Sequence, residues 1–156
     1  KHFCNFICSL SLTFTCRSGS SFEKRTLRGL NFLLHATEEQ MVSAGNLMRD
    51  VCFPKFPKVT TEIADGIRAG IIPDDKDVKC YINCILEMMQ TIKKGKFLYE
   101  SSLKQVDLLM PDHYKEEYRS GLTKCKDAAV GVKNNCDAAY TLVICLRSAI
   151  SKFVFP

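Results

Sequence analysis

The chain has 156 residues, 46% hydrophobic and 25% charged, which suits one domain with a real core and is too short for two. No stretch reaches the roughly 18–20 uncharged apolar residues that a membrane-spanning helix needs. The net charge of +5 is concentrated at the start: residues 1–36 carry five Lys or Arg against one acid, and residues 37–156 carry 17 basic groups against 16 acidic, so the body lacks the strongly basic face of a nucleic-acid binder.

Residues 3–16 are apolar, follow Lys1 and His2, and precede the small-residue run Ser18-Gly19-Ser20-Ser21, the layout of a signal-peptide core. A second, weaker candidate runs from Lys24 and Arg25 to Leu33-Leu34-His35-Ala36. We read residues 1–36 as an export leader, an incomplete leader or upstream translation, outside the mature domain. An ordered N-terminal extension is the alternative.

Beyond residue 36 the apolar spacing is helical and strand alternation is nearly absent. Thr37-Glu38-Glu39-Gln40 has the form of a capping box and opens a helix to about Cys52. Met41, Ala44, Met48 and Cys52 are expected on its apolar face, and Pro54 and Pro57 stop it. Thr60 or Thr61 caps a short helix marked by Ile63 and Ile67 and ended by Gly70. Asp75 or Asp77 suits the N-terminus of the next. That helix is expected to run through Val78, Ile82, Ile85, Met89 and Ile92, with Gly95 as its left-handed stop and Lys93, Lys94 and Lys96 as a solvated helix end. Ser101 or Ser102 starts a short helix ending near Met110. Pro111 and Asp112 start another, with Tyr114, Tyr118, Leu122 and Cys125 on one side. Asn134 or Asn135 caps the last, which reaches about Ile150 and is apolar almost all round, so it is expected at the centre. Six helices are expected, then a short greasy tail, residues 151–156.

Of nine cysteines, Cys4, Cys8 and Cys16 lie in the first segment. The six in the body suit three bridges formed in an oxidising compartment. Cys80 and Cys84 are four apart on a helix, so both thiols point the same way. They could join each other only with strain, and therefore reach two other segments. Cys136 and Cys145 also lie on nearly one side and reach different partners. Zinc held by Cys80 and Cys84 would leave Cys125, Cys136 and Cys145 unexplained. His113 follows Asp112 but stands in no phospholipase setting, and no G-x-S-x-G, H-E-x-x-H or P-loop motif occurs. Neither an enzyme nor a metal or cofactor site is expected.

The body spacing is Cys, 27 residues, Cys, 3, Cys, 40, Cys, 10, Cys, 8, Cys. This resembles the six-cysteine pattern of insect odorant-binding proteins over residues 37–156. Cys52-x-Pro54-Lys55-Phe56, Lys79-Cys80-Tyr81-x-x-Cys84, Thr91-Ile92-Lys93-Lys94-Gly95-Lys96-Phe97 and the aromatic-Pro C-terminus resemble the LUSH-like branch of that family. The resemblance implies an all-α fold, a six-helix disulfide-stapled bundle enclosing an apolar cavity. Its interlocked bridging implies Cys52–Cys84, Cys80–Cys136 and Cys125–Cys145, which spacing alone leaves open.

What the resemblance implies about function is a secreted carrier of small hydrophobic odorants or pheromones, such as alcohols and indole-like aromatics, through sensory lymph. A carrier of other lipids or hydrophobic metabolites outside olfaction is the alternative. The implied partners are a small apolar volatile ligand, an olfactory receptor and, weakly, a second copy of the chain. Leu86, Met89, Thr91, Phe97, Leu109, Tyr118, Leu122, Tyr140, Leu146, Phe153 and Phe155 are the expected ligand-binding residues, with Met88 and Met110 as further adaptable wall. Thr91 matches the alcohol-binding threonine of that branch; back-bonding to the helix is the competing role for its hydroxyl. Leu86 stands where that branch has serine, which favours a larger apolar or aromatic ligand. Residues 151–156 resemble the family's tail that covers the cavity, with Phe155 where the branch has a tryptophan.

Overall fold

The computed structural model describes residues 37–156; the leader reading of residues 1–36 lies outside them. Thr37 caps helix α1, Glu38–Cys52. The Gln40 N–H donates to Thr37 Oγ1 (3.2 Å) and the Thr37 N–H to Gln40 Oε1 (2.9 Å), so two N-terminal donors are satisfied reciprocally. The inner line of α1 runs through Met41, Gly45, Met48 and Cys52, and Ala44 is exposed. Three of the four expected residues thus lie on it, and Gly45 takes the place of Ala44 because a residue without a side chain lets another segment reach the helix. Pro54 turns the chain out of α1 through a single 3-10 turn, Phe53–Lys55.

Helix α2, Thr61–Arg68, is capped by Thr60. It ends where Gly70 takes φ +85°, with the Gly70 N–H on the Ile67 carbonyl and the Ile71 N–H on the Gly66 carbonyl, a Schellman stop. Asp75 caps α3, Lys76–Met88, through the Asp77 N–H (2.8 Å) and Val78 N–H (3.2 Å).

The sequence reading of the next stretch needs correction. Helix α3 stops at Met88, not at Ile92. The Gln90 N–H reaches the Glu87 carbonyl and the Thr91 N–H the Leu86 carbonyl, again a Schellman motif, with Gln90 left-handed at φ 53°. The chain then forms a hairpin of β1, Ile92–Lys93, and β2, Lys96–Phe97, antiparallel with Ile92 opposite Phe97. Lys94 (φ 50°) and Gly95 (φ 73°) are both left-handed, the arrangement whose twist matches a two-residue hairpin. Lys93, Lys94 and Lys96 therefore crowd a hairpin tip rather than a helix end. Gly95 is left-handed as expected, but it turns a hairpin.

Helix α4, Tyr99–Leu109, starts two residues before the predicted serines, and Ser102 instead bonds back to the Leu98 carbonyl at 3.0 Å. Helix α5 spans Asp112–Lys124 and α6 spans Asn135–Ala149, the latter capped by Asn134. Ala138, Ala139, Leu142 and Val143 on α6 are completely buried, and its most extensive packing is against α3. Ile144 looks outward, so α6 is central with one solvent face.

Three disulfides lock this arrangement. Cys52–Cys84 ties the end of α1 to α3, Cys80–Cys136 ties α3 to the start of α6, and Cys125–Cys145 ties the end of α5 to α6, with Cα separations of 5.9, 4.6 and 5.8 Å. The bridged residues are 32, 56 and 20 positions apart. On the chain-entropy model each such closure stabilises the fold by about 3–4 kcal/mol.

Candidate functional site

The inner face assembles from five segments. Helix α3 contributes Tyr81, Ile82, Ile85 and Leu86, the hairpin Ile92 and Phe97, α5 Tyr118 and Leu122, α6 Leu142 and Leu146, and the tail Phe153 and Phe155. The tail folds back over this face. Phe155 is 2% exposed, and its ring stacks with Phe153 at 6.3 Å.

Two neighbouring side chains on α5 hold the tail down. The Val154 N–H donates to Tyr118 Oη at 2.6 Å, and that hydroxyl donates to the Val154 carbonyl at 3.4 Å. Burial pushes the Tyr118 hydroxyl up to about 12, so it stays protonated and keeps both roles. One residue earlier, Glu117 accepts the Ser151 backbone N–H. The hydrogen bonds from Ser151, side chain first and then backbone, hold the Glu117 carboxyl below its ordinary value.

Two helical glycines allow close approaches, Gly45 to the tail and Gly121 to Ile150 just before it. A Cβ on Gly121 of α5 would lie 2.4 Å from Ile150 Cγ1, and one on Gly45 of α1 would lie 3.3 Å from the Pro156 backbone. Both sit inside helices, where glycine costs up to about 1 kcal/mol relative to alanine. That cost is the signal in the sequence which could have revealed a close approach.

Of the eleven expected ligand-binding residues, Leu86, Leu122, Leu146 and Phe155 are buried in the core, and Met89, Phe97, Tyr118, Tyr140 and Phe153 are half-buried against it. Thr91 is 7% exposed. It lies beyond the end of α3, its carbonyl accepts the Leu98 N–H at 2.8 Å, and no back-bond of its hydroxyl to a helix carbonyl forms. Two expectations change. Leu109 is 57% exposed: the inner line of α4 runs through Ser102, Val106 and Met110, and Leu109 stands off it on the open last turn. Tyr140 turns toward the loop before α3, with its hydroxyl 3.5 Å from the Ile72 carbonyl and the Lys79 ammonium 4.9 Å above its ring.

Two concavities among the described residues open to solvent beside α3. One, of about 480 Å³, is floored by Phe56, Asn83 and Met88; the other, of about 220 Å³, lies beside Lys79 and Asn134. None of the eleven residues borders either. Both are open to solvent, whereas an apolar ligand needs a site that buries most of its surface, as the inner face can. There Tyr81, Ile82, Ile85, Leu142 and Ile150 are at 0–1% exposure.

Residues 35–149 match the PBP/GOBP family. The chain belongs to that family. It is 65% identical to General odorant-binding protein 19a of Drosophila melanogaster, over 77% of this chain and 84% of that protein. It is 48% identical to General odorant-binding protein 72 of Anopheles gambiae, over 77% of this chain and 98% of that one. The crystal structure of odorant binding protein 4 from Chrysopa pallens superposes with a TM-score of 0.69 at 38% identity, over 77% of this chain and 98% of that chain. Apis mellifera odorant binding protein 5 superposes with a TM-score of 0.70 at 27% identity, over 78% of this chain and 98% of that chain. The six-helix, three-bridge frame of the PBP/GOBP family is thus the frame that carries the tail and its latch. No helix among the described residues is long and apolar enough to cross a membrane.

Proposed function

We propose that residues 37–156 form a secreted, non-catalytic carrier that takes up a small hydrophobic odorant on the inner face and holds it beneath the C-terminal tail in extracellular fluid. The observation that carries this reading is the tail itself. A chain end with two phenylalanines is folded back, hydrogen-bonded to α5 and buried on an apolar face, in a family whose relatives are named odorant-binding proteins.

Uptake draws on side chains that can move. Met89, Phe97 and Phe153 are half-buried and turn at lower cost than fully enclosed side chains. A ligand burying roughly 250 Å² of its own surface, plus matching protein surface, gains several kcal/mol at about 25 cal/mol per Å². Micromolar affinity, about −8 kcal/mol, is then within reach without a charged anchor. Leu86 at the inner surface favours apolar and aromatic ligands over short alcohols.

The test is titration of the purified, oxidised protein with the fluorescent probe phenylnaphthylamine, followed by competition with alcohols, indole-like aromatics and fatty esters. A single saturable site with micromolar competition is expected. Failure to take up the probe saturably would remove the carrier reading.

A further inference from the structure

The tip of the hairpin rests on the first turn of α6. A Cβ on Gly95 would lie 2.9 Å from Asn135 Oδ1 and 3.5 Å from the Asn135 Cα. Lys94 and Lys96 flank Gly95 in the chain, and Lys133 lies two residues before Asn135, so this contact brings the two segments that carry them together. A second contact joins the same parts: Tyr99 Oη and Thr123 Oγ1 are 3.0 Å apart. It sets the end of α5, followed by Lys124 and Lys126, against the residues that leave β2. The loop 125–134 is thus held to the hairpin side of the molecule at both of its ends.

Residues 92–100 and 123–135 carry six lysines, Lys93, Lys94, Lys96, Lys124, Lys126 and Lys133, against the two acids Glu100 and Asp127. The rest of residues 37–156 carries 11 basic groups against 14 acidic. The near balance of the body therefore conceals a division into a basic end and a mildly acidic remainder. All six lysines are exposed. The ion pairs among the described residues use Arg49, Lys58, Lys79, His113, Lys115 and Arg119, and none of the six. Unneutralised charges of one sign gathered on one end sum to a field that attracts polyanions.

The composition of this end narrows the partner. Protein interfaces are anchored by aromatic residues and arginine and are poor in lysine, whereas all six basic groups here are lysine. Peripheral binding to a bilayer calls for apolar groups that insert, and Val130, 75% exposed, is the one large apolar side chain exposed in these two segments. Lysine ammoniums are point charges on flexible stems, which suits a chain of repeated anions without fixed geometry. Three disulfides fit an oxidising, extracellular setting. We propose that the hairpin and the loop 125–134 form a docking surface for a linear sulfated polysaccharide, separate from the inner face and independent of the carrier reading.

The experiment is titration of the oxidised protein with a heparin-derived hexasaccharide at 50 and 200 mM NaCl. Wild type is expected to bind saturably and to weaken more than tenfold at the higher salt. Lys93→Gln, Lys94→Gln and Lys96→Gln combined are expected to weaken binding at least tenfold at 50 mM NaCl. They should also lower the slope of log affinity against log salt by about two, since each phosphate- or sulfate-bound lysine contributes somewhat less than one. Lys126→Gln with Lys133→Gln, on the other segment, is expected to weaken binding severalfold. Lys55→Gln, Lys58→Gln and Lys152→Gln combined remove the same net charge elsewhere and should leave affinity within twofold of wild type. No saturable binding by wild type overturns the proposal, and so does an equal loss in the hairpin and control variants, which would make the attraction one of net charge alone. Binding to phosphatidylserine vesicles or to polyglutamate as tight as to the hexasaccharide would assign the surface to a bilayer or to an acidic protein and overturn it as well.

Discussion

Tyr118→Phe isolates the latch that holds the tail. It leaves the ring in place, removes the 2.6 Å acceptor of the Val154 N–H, and removes the weaker 3.4 Å donor to the Val154 carbonyl. One net hydrogen bond stabilises by about 1 kcal/mol, which at about 1.4 kcal/mol per tenfold raises the population with an open tail roughly fivefold. If the tail is a gate, uptake and release pass through the same opening. Both rates should therefore rise by that factor while Kd stays within twofold, because opening alone does not change the difference between bound and free protein. Deleting residues 151–156 should be different in kind, since it also removes Phe153 and Phe155, and Kd should weaken as release accelerates. Stopped-flow mixing with phenylnaphthylamine reads both rates. Unchanged rates in Tyr118→Phe would refute the latch, and faster release with unchanged uptake would make the tail a wall of the site and not its gate.

Three further outcomes follow from the same contacts. The depressed pKa of Glu117 means its grip on Ser151 is present above the ordinary carboxylate value of 4.5 and is lost as pH falls through the lower folded value. Ligand release should then accelerate only below about pH 4.5, and Glu117→Gln should flatten that acid limb in pH-jump stopped flow; a limb unchanged in the variant would assign it elsewhere. Gly121→Ala should lower stability in thermal or urea denaturation, because its Cβ would meet Ile150 at 2.4 Å and overpacking costs about 1–3 kcal/mol. An increase in stability, the usual result of Gly→Ala in a helix, would show that the close approach is absent. Hydrogen exchange should be slowest in α3 and α6 and faster in residues 89–110 and 151–156, with ligand slowing the latter two; uniform exchange would contradict a movable wall.

Four helix starts were legible because each depends on a side chain two or three residues from the backbone it caps; α4 and α5 have no such cap, and α4 starts before the serines expected there. Thr37, Thr60, Asp75 and Asn134 all cap as their neighbours implied. The end of α3 was not legible. Ile92 continues the helical spacing of Ile85 and Met89, yet an alternating strand places the same residue inward. What decided between them was a left-handed Gln90 followed by the Lys94-Gly95 turn, and glutamine carries no strong preference for that conformation. The disulfide pairing lay beyond spacing and came through the family resemblance. The tail's seat was hidden for another reason: it depends on side chains that Gly45 and Gly121 lack, and periodicity registers apolar groups, not gaps.

The placement of the bridges says which part of the molecule can give way. Cys52–Cys84 and Cys80–Cys136 fasten α3 to α1 and α6, and Cys125–Cys145 fastens α5 to α6. No bridge touches the hairpin, α4 or the tail. Phe97, Leu103, Met110 and Phe153 of those unbridged segments are half-buried, beside the enclosed Ile92 and Phe155, while α3 and α6 supply the completely enclosed Tyr81, Ile82, Ile85 and Leu142. A ligand that must displace protein side chains meets least resistance where neither a covalent tie nor full enclosure opposes it. On the proposed carrier reading, α3 and α6 are the fixed apolar floor, and the unbridged hairpin, α4 and tail are the roof that yields.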